Sequence, residues 1–148
     1  MNRVVLLDSG PLGLATNPKR SPLNMACNHW VQTLTQGGVR VIVPELADYE
    51  VRRELLRGNK SAGLLRLDGF LTTVEYLPIT TAAMRQAAQF WAEARQQGYP
   101  TADDKNIDGD MILAAQATTL GVAGFIVATT NIRHLARFVP AGLWQAIS

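Results

Sequence analysis

The chain has 148 residues, 47% hydrophobic and 18% charged, with 14 Lys and Arg against 12 Asp and Glu. This fits a single globular domain over residues 1–148 and argues against disorder or two separately folded units. The lone cysteine, Cys27, excludes an intramolecular disulfide and a cysteine-built zinc site. No apolar run reaches membrane-span length and the first eight residues lack a signal-peptide pattern, so a reduced, cytoplasmic setting is expected.

Arg3 to Leu7 reads as a short buried strand ending at Asp8. Ser9 is placed to cap a helix with Pro11 in its first turn. After a polar turn over Asn17 to Pro22, a helix over Leu23 to Gln36 carries Met25, Ala26, Trp30 and Leu34 as its inward stripe, and Gly37-Gly38 stops it. Val39 to Val43 is a second buried strand, closed by Pro44. Leu46 to Arg57 is a helix with Leu46, Tyr49, Val51, Leu55 and Leu56 inward. Another helix is expected over Ala62 to Thr72 and a short strand over Val74 to Leu77.

Thr80 to Gln97 is a long helix with Met84, Ala87, Ala88, Trp91 and Ala94 inward, and Tyr99 to Asn106 a polar loop. Ile107 to Leu120 is an Ala-rich helix suited to close packing. Gly124 to Ala128 is a further short strand, followed by Thr129-Thr130-Asn131 and a short helix over Ile132 to Phe138. The tail from Leu143 to Ile147 is ambiguous. Short apolar strands alternating with helices predict an α/β fold: a central, mostly parallel sheet flanked by helices on both faces. In such sheets ligands sit outside the carboxyl ends of the strands.

Those ends are polar. The first strand ends at Asp8, Glu45, Asp48 and Glu50 follow the second, Thr129, Thr130 and Asn131 follow the strand at Phe125, and the Ala-rich helix opens with Asp108 and Asp110. If the strands run parallel, these groups converge on one edge. Gathered carboxylates repel, so one or more should hold its proton more tightly than usual, and a divalent cation would relieve the strain. Oxygen donors without a His or Cys cluster favour Mg²⁺ or Mn²⁺, and such a site can activate water and stabilise charge on a phosphodiester. Each acid also has an ordinary role open to it. Asp8 suits a cap, Glu50 an i,i+3 pair with Arg53, and Asp108 and Asp110 the positive end of a helix, while Asp103 and Asp104 suit loop solvation. Arg52, Arg53, Arg57 and Lys60 form a basic stretch available either to a phosphate backbone or to a partner surface.

Other candidates fall away. His29 and His134 lack ligand spacing, Cys27 has no adjacent base, and Trp30 and Trp91 read as core. Gly58-Asn59-Lys60-Ser61 lacks the earlier glycine and the preceding strand of a phosphate loop, and no Gly-x-Gly-x-x-Gly is present. Asp8 is followed by Ser9 and Gly10 rather than by the Asp-x-Asp of phospho-aspartyl phosphatases.

Four segments in order resemble the PIN-domain nucleases, and among them the VapC-like toxins of toxin–antitoxin pairs. They are Val5-Leu6-Leu7-Asp8-Ser9-Gly10-Pro11-Leu12; Val41-Ile42-Val43-Pro44 with Glu50 six residues on; Asp110-Met111-Ile112-Leu113-Ala114-Ala115-Gln116-Ala117; and Val127-Ala128-Thr129-Thr130-Asn131-Ile132-Arg133-His134-Leu135. The resemblance spans Val5 to Phe138. It implies a PIN-like fold and a Mg²⁺- or Mn²⁺-dependent endoribonuclease. Asp8, Glu50 and Asp110 are then the catalytic and metal-binding acids, with Asp108 as an accessory ligand. Thr129, Thr130 and Asn131 become substrate contacts, and Arg53 of the basic stretch is a candidate contact to the phosphate backbone. It further implies a homodimer and a small antitoxin partner. Asn131 stands where many relatives carry an acid or an Asn, and an amide there keeps open an alternative: a non-catalytic PIN-like module that binds RNA or protein through an incomplete acid site.

Overall fold

The structure, a computed structural model, describes residues 4–98 and 107–148. The loop expected over Tyr99 to Asn106, with Asp103 and Asp104, lies outside the described residues, as does Arg3. Strand β1 (Val4–Leu7) is an apolar run with every side chain buried. Strand side chains alternate between faces, so full burial means that both faces of the sheet are covered. Asp8 follows it, and its Oδ1 accepts the Ser9 N–H at 2.7 Å, making Asp8 the cap of α1 (Ser9–Thr16). Of Asp8 and Ser9, both open to capping from the sequence, Asp8 takes the role and Ser9 is the first helical residue. The carboxylate directly after the strand reaches the free amides first.

Helix α2 (Pro22–Gln36) is capped by Ser21 and buries Asn24, Cys27, Val31 and Leu34. The expected stripe is thus corrected: Met25 is 48% exposed and Ala26 also faces out. Asn24 occupies an inward position because its Nδ2 donates to the Lys19 carbonyl, a pairing that hydropathy does not reveal. Next come β2 (Arg40–Pro44), α3 (Glu45–Arg57), α4 (Ser61–Leu71) and β3 (Glu75–Leu77). On α3, Tyr49 and Leu56 point outward rather than inward. Asp48 is buried instead, accepting from Arg52 and from the Tyr76 hydroxyl.

Helix α5 (Thr81–Gln96) packs along α6 (Ile107–Thr119). Their seam is built from Ala83, Ala87, Ala94, Met111 and Ala115. Small residues let the helices approach closely, and Met84, Ala88 and Trp91 are turned outward against expectation. The chain finishes with β4 (Phe125–Thr129), a 3₁₀ turn over Leu135–Arg137 in place of the expected longer helix, β5 (Ala141–Leu143) and a second 3₁₀ turn over Trp144–Ala146. Trp30 and Trp144 meet at 5.5 Å between ring centroids, and the Trp30 indole donates to the Ile147 carbonyl, tying the tail to α2.

The sheet is five-stranded, in the order β3-β2-β1-β4-β5, with every pairing parallel. The chain moves outward from β1 to one side through β2 and to the other through β4. The crevice at the carboxyl ends of β1 and β4 is therefore the topological switch point. No helix among the described residues is long and apolar enough to cross a membrane.

Candidate metal centre

Leu7 is in register with Ala128, and the Asp8 N–H donates to the Ala128 carbonyl at 2.9 Å. This places Asp8 beside Thr129 at the switch point. Thr129, buried at the end of β4, donates its hydroxyl to Asp8 Oδ2 at 2.7 Å. A cleft of about 330 Å³ opens here, lined by Asp8, Glu50, Asp110, Thr129, Thr130 and Asn131, with Arg53 and His134 at its walls. Three carboxylates that are far apart in sequence are thus brought together from the end of β1, the middle of α3 and the start of α6. Asp108 is exposed and is not among the residues lining the cleft.

Two acids show the strain of the arrangement. Burial pushes the Asp8 carboxyl above its ordinary value, against the hydrogen bonds from Thr129 and Ser9. Burial also raises Glu50, and the negative charge of Asp8 adds to it, opposed by Arg53 and Ser9. The Arg53 guanidinium lies 4.0 Å from Glu50 and 5.2 Å from the centre of the Tyr49 ring, so the i,i+3 pairing and membership of the cleft coexist. As the side chains stand, no three His, Cys, Asp or Glu among the described residues are grouped so as to hold a metal ion. The donor set nevertheless suits a hard cation: carboxylate and hydroxyl oxygens in a polar cleft. Both Asp8 oxygens keep lone pairs beyond those already engaged.

Asn131 is exposed. Its N–H donates to Thr129 Oγ1 at 3.1 Å and its Oδ1 accepts from the Arg133 N–H at 3.1 Å. Thr130 packs against the Cα of Gly10, where a Cβ would stand 2.5 Å from the Thr130 hydroxyl. Cys27 is buried against the Pro11 carbonyl, and burial pushes its thiol up to about 12, in keeping with a core role.

Three features escaped the sequence reading. The Ser9 hydroxyl faces both Asp8 and Glu50 and eases the charge on each. Gly109 lies under Glu50, where a Cβ would sit 2.7 Å from Glu50 Oε2. Gln116, buried on α6, accepts from the Leu46 N–H at the start of α3 and donates to the Leu77 carbonyl at the end of β3. The glycine between Asp108 and Asp110, and the polar residue interrupting the alanines, were the only signals available.

No protein-family model matches the chain, and no curated protein matches it by sequence. Solved structures are similar to it over nearly its whole length. One is the VapBC2 complex of Rickettsia felis bound to a DNA fragment from its promoter, with a TM-score of 0.75 and 16% identity, covering 95% of this chain and 98% of that one. The DNA-bound VapBC of Salmonella typhimurium gives a TM-score of 0.67 and 20% identity, over 97% of this chain and 99% of that one. FitAcB of Neisseria gonorrhoeae gives 0.65 and 18%, over 97% and 99%. The fold is PIN-like. In this PIN-like chain Asp8, Glu50 and Asp110 all line one cleft at the switch point, the edge on which a parallel sheet was expected to gather them.

Proposed function

We propose that this chain is a metal-dependent endoribonuclease of the VapC type, hydrolysing RNA phosphodiester bonds with Mg²⁺ or Mn²⁺. The observation that carries this reading is the convergence of Asp8, Glu50 and Asp110 on one cleft, from three separate elements. A bound divalent cation supplies Lewis-acid activation of water and of the phosphodiester. Asp8, Glu50 and Asp110 are the residues to hold it. Thr129 and Ser9 orient Asp8, and Thr130, Asn131 and Arg53 face the substrate. The toxin–antitoxin complexes similar in structure support a small antitoxin as a protein partner. A homodimer in the cytoplasm completes the reading.

The test is cleavage of total RNA by the purified protein with Mn²⁺, with Mg²⁺ and with EDTA, the new ends being mapped by sequencing beside an identically purified Asp8→Asn variant. Discrete cuts that require metal and vanish in the variant are expected. Cuts unchanged by Asp8→Asn would point to a contaminant. A second reading is a non-catalytic PIN-like module binding RNA or protein. The residue favouring it is Asn131, an amide that leaves the fourth position of the resemblance without an acid. Metal binding without cleavage of any RNA pool would select it.

A further inference from the structure

The arginines of the densest basic stretch are engaged within the fold. Arg52 is held by Asp48 at 3.0 Å and Asp68 at 2.8 Å, Arg57 by Glu54 at 2.7 Å, and Arg53 leans towards Glu50. Lys19, Arg20, Lys60 and Arg66 have no acidic partner among the described residues and line two adjoining hollows. Lys19 and Arg20 lie in the turn between α1 and α2, Lys60 precedes α4, and Arg66 is on α4.

These cations stand along a continuous path. The acid cleft shares Ser9, Gly10, Glu50 and Glu54 with a groove of about 900 Å³ between α1 and the α3–α4 pair. That groove shares Asn17, Pro18 and Lys19 with a hollow of about 250 Å³, which Arg20, Arg66 and the exposed His29 also line. No Asp or Glu lines this hollow. Helix α1 joins the two ends. Asp8 caps its start and Asn17 its finish, and eight residues span about 12 Å. The cationic end is held in place: the Lys19 N–H donates to Asn17 Oδ1 at 2.9 Å, and Asn24 Nδ2 donates to the Lys19 carbonyl at 3.0 Å. Between the ends the wall is partly apolar, with Leu14, Val51 and Leu55 offering surface to sugars and base faces.

We propose that this path anchors a single-stranded RNA on one side of the scissile bond. Its backbone is held by Lys19, Arg20 and Arg66, with Lys60 lining the groove between them and the cleft. The inference deepens the ribonuclease reading and rests on it for the direction of the strand. An acidic peptide is the competing occupant. It fits less well, because at the cleft its carboxylates would face Asp8 and Glu50, whereas a phosphodiester is drawn there by a shared divalent cation.

The experiment is fluorescence anisotropy with the full chain in EDTA, using labelled oligouridylates of increasing length over a range of salt concentrations. Wild-type affinity is expected to rise with length. Lys19→Gln/Arg20→Gln/Arg66→Gln should lose that rise, about tenfold or more for long strands at low salt. With three contacts gone, the slope of log K against log salt should flatten by about 2. Arg85→Gln, a cation on α5, should bind as wild type does. Thermal melts accompany each variant, and the three single substitutions carry the test if the triple variant is destabilised. The inference is overturned if the triple variant binds every length like wild type or loses affinity equally at all lengths. It is also overturned if polyglutamate binds more tightly than RNA and shows the same losses. Length-dependent binding without cleavage in metal would sink the ribonuclease reading and leave this one standing, and cleavage with unaltered binding in the triple variant would do the reverse.

Discussion

Thr129 and Asp8 are 121 positions apart in the chain, yet one 2.7 Å hydrogen bond joins them at the heart of the cleft. Thr129→Val keeps the shape and deletes the donor. The Asp8 carboxyl should then rise further, and Mn²⁺ affinity should fall about 10- to 100-fold, the usual cost of losing a partner that orients a ligand. Calorimetric titration with Mn²⁺ reads this directly, and unchanged affinity would remove Thr129 from the site. A pH prediction follows from the same carboxylate. The folded value of Asp8 is raised above its ordinary 3.8, so the folded state holds the proton more tightly than the unfolded chain does. Stability of the metal-free protein is therefore reduced as pH climbs from about 3.8 through the raised value, and stays reduced above it. Asn lacks this titration and caps a helix as well as Asp. The melting temperature of Asp8→Asn minus that of wild type, both in EDTA, should grow with pH across this window and then level off. A difference independent of pH would show that Asp8 is not destabilised by burial. The three acids that meet in the cleft were legible as candidates because each directly follows a strand or opens or lies on a helix next to one. Gly109 and Gln116 were not, since their importance lies in what another segment places against them.

At the scale of elements, Gln116 ties together the two helices that carry Glu50 and Asp110. Its side chain satisfies an otherwise unpaired amide at the start of α3 and a carbonyl at the end of β3. Gln116→Leu leaves both without a partner in the protein, at about 1–3 kcal/mol for each group that stays buried and unpaired. Urea denaturation should show this loss, together with weaker metal binding. Gly109→Ala gives the opposite pattern. Alanine favours the helix by up to about 1 kcal/mol, but its methyl would stand 2.7 Å from Glu50 Oε2. Stability should be kept or gained while the Glu50 carboxylate is displaced and Mn²⁺ affinity drops. If affinity and stability move together in both variants, the helices do not position the acids independently of folding. The inward faces of α2, α3 and α5 were harder to read than the elements themselves. Asn24 and Asp48 are buried through pairings that form only in the fold. On α5, close packing against α6 selects alanine over larger apolar residues.

For the molecule as a whole, the parallel sheet was legible because β1, β2 and β4 are short β-branched or apolar runs separated by helices. Strand β5, Ala141-Gly142-Leu143, carries no β-branched residue and was missed. The basic block stayed open between a phosphate backbone and a partner surface for a related reason. Whether Arg52 meets a phosphate or Asp68 depends on how α3 and α4 pack, while Lys19, Arg20 and Arg66 stand without an acidic partner among the described residues at the far end of α1. The outward stripe on α5 bears on assembly. Met84 and Trp91 are 46% and 39% exposed, and with Ala88 they follow the i, i+4, i+7 spacing of one helix face. Arg95 lies over the Trp91 ring at 4.6 Å and covers part of it without hiding the stripe. An apolar helix face of this kind suits the expected homodimer, with Trp91 as its anchor. Trp91→Glu places a charge in that face and removes the ring. A loss of about 2 kcal/mol at such an anchor weakens the dimer about 30-fold. Light scattering across a dilution series should show wild type as a dimer over concentrations where Trp91→Glu is a monomer with an unchanged circular dichroism spectrum. A wild-type monomer throughout would leave the stripe as ordinary exposed surface, and a dimer indifferent to Trp91→Glu would place the interface elsewhere.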